Sequence, residues 1–170
     1  MTVTIDQSLH FEISQWLFAE AELLDHGRLR DWLALVSPSV RYLVPVRVTK
    51  PSGQGEGFQD SAAHFDDNYF LLEQRIRRLE TDFAWAEDPP SRTRHILTNI
   101  RIRPTEQDDE VLAVSNLLLH RTRGDIAQPE QLVGERHDRL VRSDGGWKLA
   151  ARTVYLDHST LPMQNLAILL

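Results

Sequence analysis

The sequence contains no cysteine, which excludes disulfides, thiolate zinc sites and any iron–sulfur cluster with cysteine ligands. Lysine is nearly as scarce: of 19 basic residues, all but Lys50 and Lys148 are arginine. Arginine's planar fork suits paired and interfacial contacts, although a genome rich in G and C produces the same bias. Positive charge does not dominate either. A net charge of −6 argues against a generic nucleic-acid binder, whose affinity rests on a basic face. No apolar run approaches the ~20 residues of a membrane span. The opening "MTVTIDQSLHFE" has neither the basic region nor the apolar core of a secretory signal. The expectation is a cytoplasmic chain that binds no membrane.

What is present reads as one domain over 1–170, with 41% hydrophobic and 26% charged residues, an ordinary globular composition. Asp6 or Ser8 can cap a first helix whose stripe is Ile13, Trp16, Leu17 and Leu24, with Glu20 and Glu22 placed off it. Gly27 breaks that helix. A shorter one follows with Leu29, Trp32, Leu33 and Val36 on one face, ended near Pro38. In "SVRYLVPVRV", Val40, Tyr42, Val44, Val46 and Val48 alternate with Arg41, Leu43, Pro45 and Arg47, a strand in which Pro45 requires an edge or a bulge. "KPSGQGEG" is a flexible loop lacking the lysine and Ser/Thr of a phosphate-binding loop. "FDDNYFLLEQRIRRLET" predicts a third helix, with Asp66 and Asp67 at its start, a Tyr69, Leu72, Ile76 and Leu79 stripe, and Arg75, Arg77 and Arg78 near its end.

Four strands then follow, roughly Arg94–Arg103, Val111–Arg121, Leu132–Arg142 and Trp147–Leu156. Hairpin-like connections join them, the tightest being "SDGG". Helices followed by a run of antiparallel strands make an α+β domain, a curved sheet wrapped against helices.

Signals for chemistry are sparse. None of the seven histidines pairs with another at three or four residues' spacing, and a facial triad from distant residues is not excluded by spacing alone. A curved sheet closed by helices makes a cone able to hold a small ligand. His95 and Asn99 share one strand face, His137 and Arg139 another, with Asp138 pointing oppositely. A His95–Asp138 dyad can be drawn, but both lie among arginines and aspartates where ion pairing accounts for them. Ser91 lacks the G-x-S-x-G setting of a nucleophile and suits a turn or a cap.

Two stretches suggest an interaction surface instead. In "WAEDPPSRTRH", Pro89 and Pro90 stiffen the backbone, Trp85 offers an anchor, and Arg92 and Arg94 can reach carboxylates or carbonyls. Such residues build interface hot spots; the alternative is a structured lead-in to the central strand. The end, "STLPMQNLAILL", places Leu166, Ala167, Ile168, Leu169 and Leu170 where solvent exposure would be costly. Either the tail folds back on its own sheet or it docks on another chain, and docking is the expectation.

"RYLVPVRVT", "FDDNYFLLEQRIRRLETDFAWAEDPPSRTRHILTNIRI" and "RLVRSDGGWKLAARTVYLD", with the apolar tail, come in an order that resembles the small (beta) subunit of Rieske-type aromatic-ring-hydroxylating dioxygenases. The resemblance runs from about Arg41 to the C-terminus. It implies a nuclear-transport-factor-2-like cone, a curved, mostly antiparallel sheet packed against N-terminal helices. It also implies a terminal oxygenase in which three small subunits support three large (alpha) catalytic ones. In that family the Rieske two-iron two-sulfur cluster and a mononuclear Fe(II) belong to the large subunit. Electrons reach that subunit from NADH through a reductase, often by way of a ferredoxin, and dioxygen adds to an aromatic ring to give a cis-dihydrodiol. This chain would then carry no catalytic, cofactor-binding or metal residue, and would contact its partner through the candidate set Trp85, Pro89, Pro90, Arg92 and Arg94. "VPVRVT" looks more like members acting on hydrocarbons such as biphenyl or benzene than on benzoates. The competing readings are a stand-alone isomerase or dehydratase of the ketosteroid-isomerase kind using a His/Asp pair, or a non-catalytic ligand-binding cone, since fold alone does not fix function.

Overall fold

A computed structural model describes residues 5–55, 57–81, 89–163 and 165–170. Trp85, and with it the first part of "WAEDPPSRTRH", lies outside them. Helix α1 spans Gln7–Asp25, and Asp6 caps it by accepting from the Leu9 amide at 2.8 Å. Gly27, at φ 66°, turns the chain out of it, a conformation glycine adopts without steric cost. Helix α2 is Leu29–Ala34 and buries Trp32 and Leu33. It ends before Pro38, and Val36 already opens strand β1, Val36–Arg47.

The sheet has six strands. Strand β2, Phe58–Asp67, follows β1 and precedes helix α3, Tyr69–Leu79. Then come β3, Arg92–Pro104; β4, Glu110–Thr122; β5, Glu130–Ser143; and β6, Gly146–Leu156. Their spatial order is β2-β1-β6-β5-β4-β3. Every pairing is antiparallel except β1 with β6, which is parallel. Pro45 therefore lies in an interior strand and not at an edge. The β1–β2 register shifts on both sides of it, the bulge its missing N–H demands.

The predicted third helix starts later than expected. Asp66 and Asp67 end β2, and Asn68 caps α3 through a bond from the Leu71 amide at 3.0 Å. No acidic residue occupies the first turn, while Arg77 and Arg78 occupy the last. Asp67 instead pairs with Arg75, and Asp66 with Arg41 at 3.0 Å.

The core lies between the sheet's inner face and the helices. Leu9, Ile13, Leu17, Ala21 and Leu24 of α1 and Leu72 and Ile76 of α3 meet Leu97, Leu117, Leu119, Leu132, Leu140, Leu149 and Val154. Two indoles fix α1 against β6: Trp16 Nε1 donates to the Trp147 carbonyl at 3.0 Å, and Trp147 Nε1 to Glu12 at 2.9 Å. The parity of β3 changes midway. Asn99 has φ 53°, and the register shifts between Thr98 and Arg101. His95 is consequently buried and Asn99 exposed, against the expectation that they share a face.

Candidate functional site

Strand register builds a buried charge cluster inside the cone. Arg136 and Asp138 are two residues apart on β5 and share its inner face, and Asp138 lies directly opposite Arg152 on β6. Asp138 Oδ1 accepts from Arg152 Nε at 2.7 Å, and Oδ2 from Arg136 Nη2 at 2.6 Å. Glu20 closes the group from α1, with Oε1 2.8 Å from Arg152 Nη1 and Oε2 3.1 Å from Arg136 Nη2. Trp32 Nε1 adds a bond to Glu20 at 2.7 Å. All four charged side chains are fully shielded from solvent.

Two carboxylates balance two guanidiniums, the condition under which charges are tolerated in a low-dielectric interior. Burial alone would raise Glu20. The charges of Arg152 and Arg136 and the bonds from Arg152 and Trp32 outweigh it and hold the carboxyl well below the usual range. Burial likewise disfavours charged Arg152, yet Asp138 and Glu20 drive its pKa well above the ordinary value.

Glu20 is the residue that sequence reasoning misplaced. It stands seven after Ile13, three after Leu17 and four before Leu24, so the helical period does put it on the buried stripe. An acid on that stripe calls for a buried basic partner, and Arg136 and Arg152 supply it.

Next to the cluster, Asp25 at the end of α1 reaches β3. Its Oδ1 is 2.6 Å from His95 Nδ1, and it also accepts from the His95 amide at 3.1 Å and the Thr93 hydroxyl at 3.2 Å. Burial would raise the Asp25 pKa, but these bonds and the imidazole lower it. The drawn His95–Asp138 dyad does not form, because each member has other partners. Nor does His95 offer a free nitrogen, since its Nε2 lies 3.0 Å from the Leu169 carbonyl.

That contact belongs to the tail, which folds back on its own sheet instead of docking elsewhere. Leu169 and Leu170 are 5% and 0% exposed. Leu170 O accepts from Tyr42 Oη at 2.6 Å and Arg152 Nη1 at 2.9 Å, and Leu170 N donates to Tyr42 Oη at 2.7 Å. Arg121 holds Asn165 through its carbonyl, at 3.2 Å, and its side-chain oxygen, at 3.3 Å.

The described interface candidates sit where β3 begins. Pro89 and Pro90 are exposed. Arg92 Nη2 donates to the Gly124 carbonyl at 2.7 Å, tying this lead-in to the β4–β5 loop, and Arg94 Nη1 donates to the Thr93 carbonyl at 3.0 Å. Arg92 and Arg94 share the outer face of β3 with Ile96, which is 45% exposed. Ile96 faces Leu118, and Leu118 faces Val133, 39% exposed. An apolar row thus crosses three strands on the outside of the sheet, beside the arginines. It was legible in sequence only as alternation, because which face is outward depends on the packing of α1.

The donor set does not fit a Rieske cluster, which requires two cysteines and two histidines. Among the described residues, no group of three or more His, Asp or Glu is placed to hold a metal ion.

Residues 19–163 match the family model for the ring hydroxylating beta subunit. The chain is 40% identical over 169 residues to the 3-phenylpropionate/cinnamic acid dioxygenase subunit beta of Photorhabdus laumondii, covering 97% of this chain and 93% of that protein. It is 37% identical over 165 residues to the benzene 1,2-dioxygenase subunit beta of Pseudomonas putida, covering 94% and 87%. A solved structure of naphthalene 1,2-dioxygenase with indole bound superposes with a TM-score of 0.88 at 26% identity, over 98% of this chain and 88% of that one. With its helices, its mixed sheet and most of its length thus accounted for, the chain belongs to the ring-hydroxylating dioxygenase beta-subunit family.

Proposed function

We propose that this chain is the supporting small subunit of a multicomponent oxygenase that hydroxylates aromatic rings, three copies holding three large catalytic subunits in register. Its 40% identity to a dioxygenase beta subunit over 97% of its length carries the reading. Iron chemistry then belongs to the large subunit, which receives electrons through a reductase or ferredoxin. The relatives are named for a phenyl-substituted acid and for benzene, which supports aromatic compounds as the substrate class.

The interior supports the same role. Its ionisable groups are engaged with one another or with the chain's own tail, an arrangement that stiffens a scaffold. The isomerase reading required a histidine free to move a proton, and His95 is held on both ring nitrogens. Contact with the large subunit is assigned to the outer edge of β3, through Pro89, Pro90, Arg92, Arg94 and Ile96, with Trp85 beyond the described residues. Exposed apolar side chains beside arginines are the composition of interface cores. Co-purification of Arg94→Ala and Ile96→Asp variants with the large subunit tests this.

A further inference from the structure

Three side chains from three different strands converge on the main chain of the tail. Tyr42 of β1 both donates to Leu170 O and accepts from Leu170 N, Arg152 of β6 donates to the same oxygen, and His95 of β3 meets Leu169 O. Tyr42 and Arg152 are fully buried, and the His95 side chain is 2% exposed. Without the tail, each would be a buried polar group short of a partner, at a cost that folded proteins avoid.

The tail belongs to no helix or strand, and its apolar side chains complete the wall of a cavity. Ala167, Ile168 and Leu169 line about 390 Å³ together with Leu24, Leu29, Thr93 and the Asp25–His95 pair, whereas Tyr42 and Arg152 lie on the other side of the tail, outside that lining, and are reached only when the tail leaves. Apolar walls with a few convergent polar groups are the composition of a small-molecule site. The four buried charges behind Tyr42 cancel, so an oxygen docked there needs no charge of its own.

We propose that the interior of the cone is a binding site for a small apolar molecule presenting a carbonyl oxygen, and that residues 165–170 occupy it as an internal, displaceable ligand. Tyr42 and Arg152 hold the carbonyl oxygen, His95 positioned by Asp25 takes a second acceptor, and the body of the ligand replaces Leu169 and Leu170. Tail and ligand are mutually exclusive, so apparent affinity scales with the fraction of molecules whose tail is out.

The test uses the full chain and 4-phenyl-2-butanone as probe. Hydrogen exchange at Leu169 and Leu170 is expected to accelerate with probe while β1 and β6 stay protected. Asn165→Ala removes the side-chain part of the tail's anchor, the bonds to Asn165 Oδ1 from Arg121 and from the Ala167 amide, keeps the main-chain carbonyl bond, and leaves Tyr42, Arg152, His95 and Asp25 in place. It is expected to tighten probe binding about fivefold or more by calorimetry. Tail protection unchanged at saturating probe, or equal affinity in the wild type and Asn165→Ala, would overturn the proposal. A probe that binds without moving the tail counts against it equally.

Discussion

Glu20 and Arg152 stand 132 residues apart in the chain and meet at 2.8 Å, both sealed from solvent. This contact joins the first helix to the last strand, and through Asp138 and Arg136 it fixes the helix over the centre of the sheet.

Removing one member leaves uncompensated buried charge. Glu20→Gln is expected to cost about 3–5 kcal/mol, read as a shifted midpoint in urea unfolding. Glu22→Gln, two residues away and exposed, should stay within about 0.5 kcal/mol. Equal losses in the two variants would mean that the cluster does not hold α1 in place.

Glu20 of the cluster and the neighbouring Asp25 set the acid limb of stability. Glu20 and Asp25 have folded pKa values below their ordinary 4.5 and 3.8. Their contribution is therefore complete above those ordinary values and is lost as pH falls through the lower folded ones. Thermal melts should show stability declining with acid from about pH 4.5 downward. Glu20→Gln should flatten that decline, and an unchanged slope in this variant would remove Glu20 from the account.

Much of the fold was legible because its signals are local. The four consecutive strands each carry an alternating run, "SDGG" marks the turn between the last two, Gly27 marks the end of the first helix, and Pro45 signals an edge or a bulge. Strand β2 was not legible. It lies at the sheet edge, and Phe65 and Asp67 are the buried residues among those of its side chains that are described, so "FQDSAAHFDD" carries almost no apolar period. Asn99 hid the parity change in β3, because a non-glycine residue at positive φ gives little warning in sequence. The tail's destination depended on Tyr42, Arg152 and His95, which come together only in the folded sheet. Of the predicted interface set, Arg92 and Arg94 do share an outward face, while Ile96 went unnoticed because an isoleucine in a strand ordinarily signals core.

Close strand approach gives an independent check on the β5–β6 ladder. A Cβ at Gly134 would fall 2.5 Å from the Tyr155 carbonyl oxygen, whereas one at Gly145 would meet nothing within 4 Å. Gly134→Ala is expected to lose about 1–3 kcal/mol, and Gly145→Ala less than about 0.5 kcal/mol. The reverse order in thermal melts would contradict the register.

At the outer edge of β3, Ile96→Asp places a charge in an apolar row, and Arg94→Ala shortens an adjacent side chain. Both are expected to weaken association with the large subunit about tenfold or more, in the manner of interface hot spots, with turnover per assembled iron little changed. Intact assembly with collapsed turnover per iron would show that this edge acts on chemistry and not on contact.

The most direct test of the supporting-subunit account is light scattering on a sizing column, coupled to iron analysis. It compares the chain alone with the chain co-expressed with the large subunit encoded beside it. The account predicts a colourless, iron-free protein alone, and with its partner a red-brown complex with the two chains in one-to-one ratio. A stable chain that elutes unchanged and iron-free beside the large subunit would contradict it.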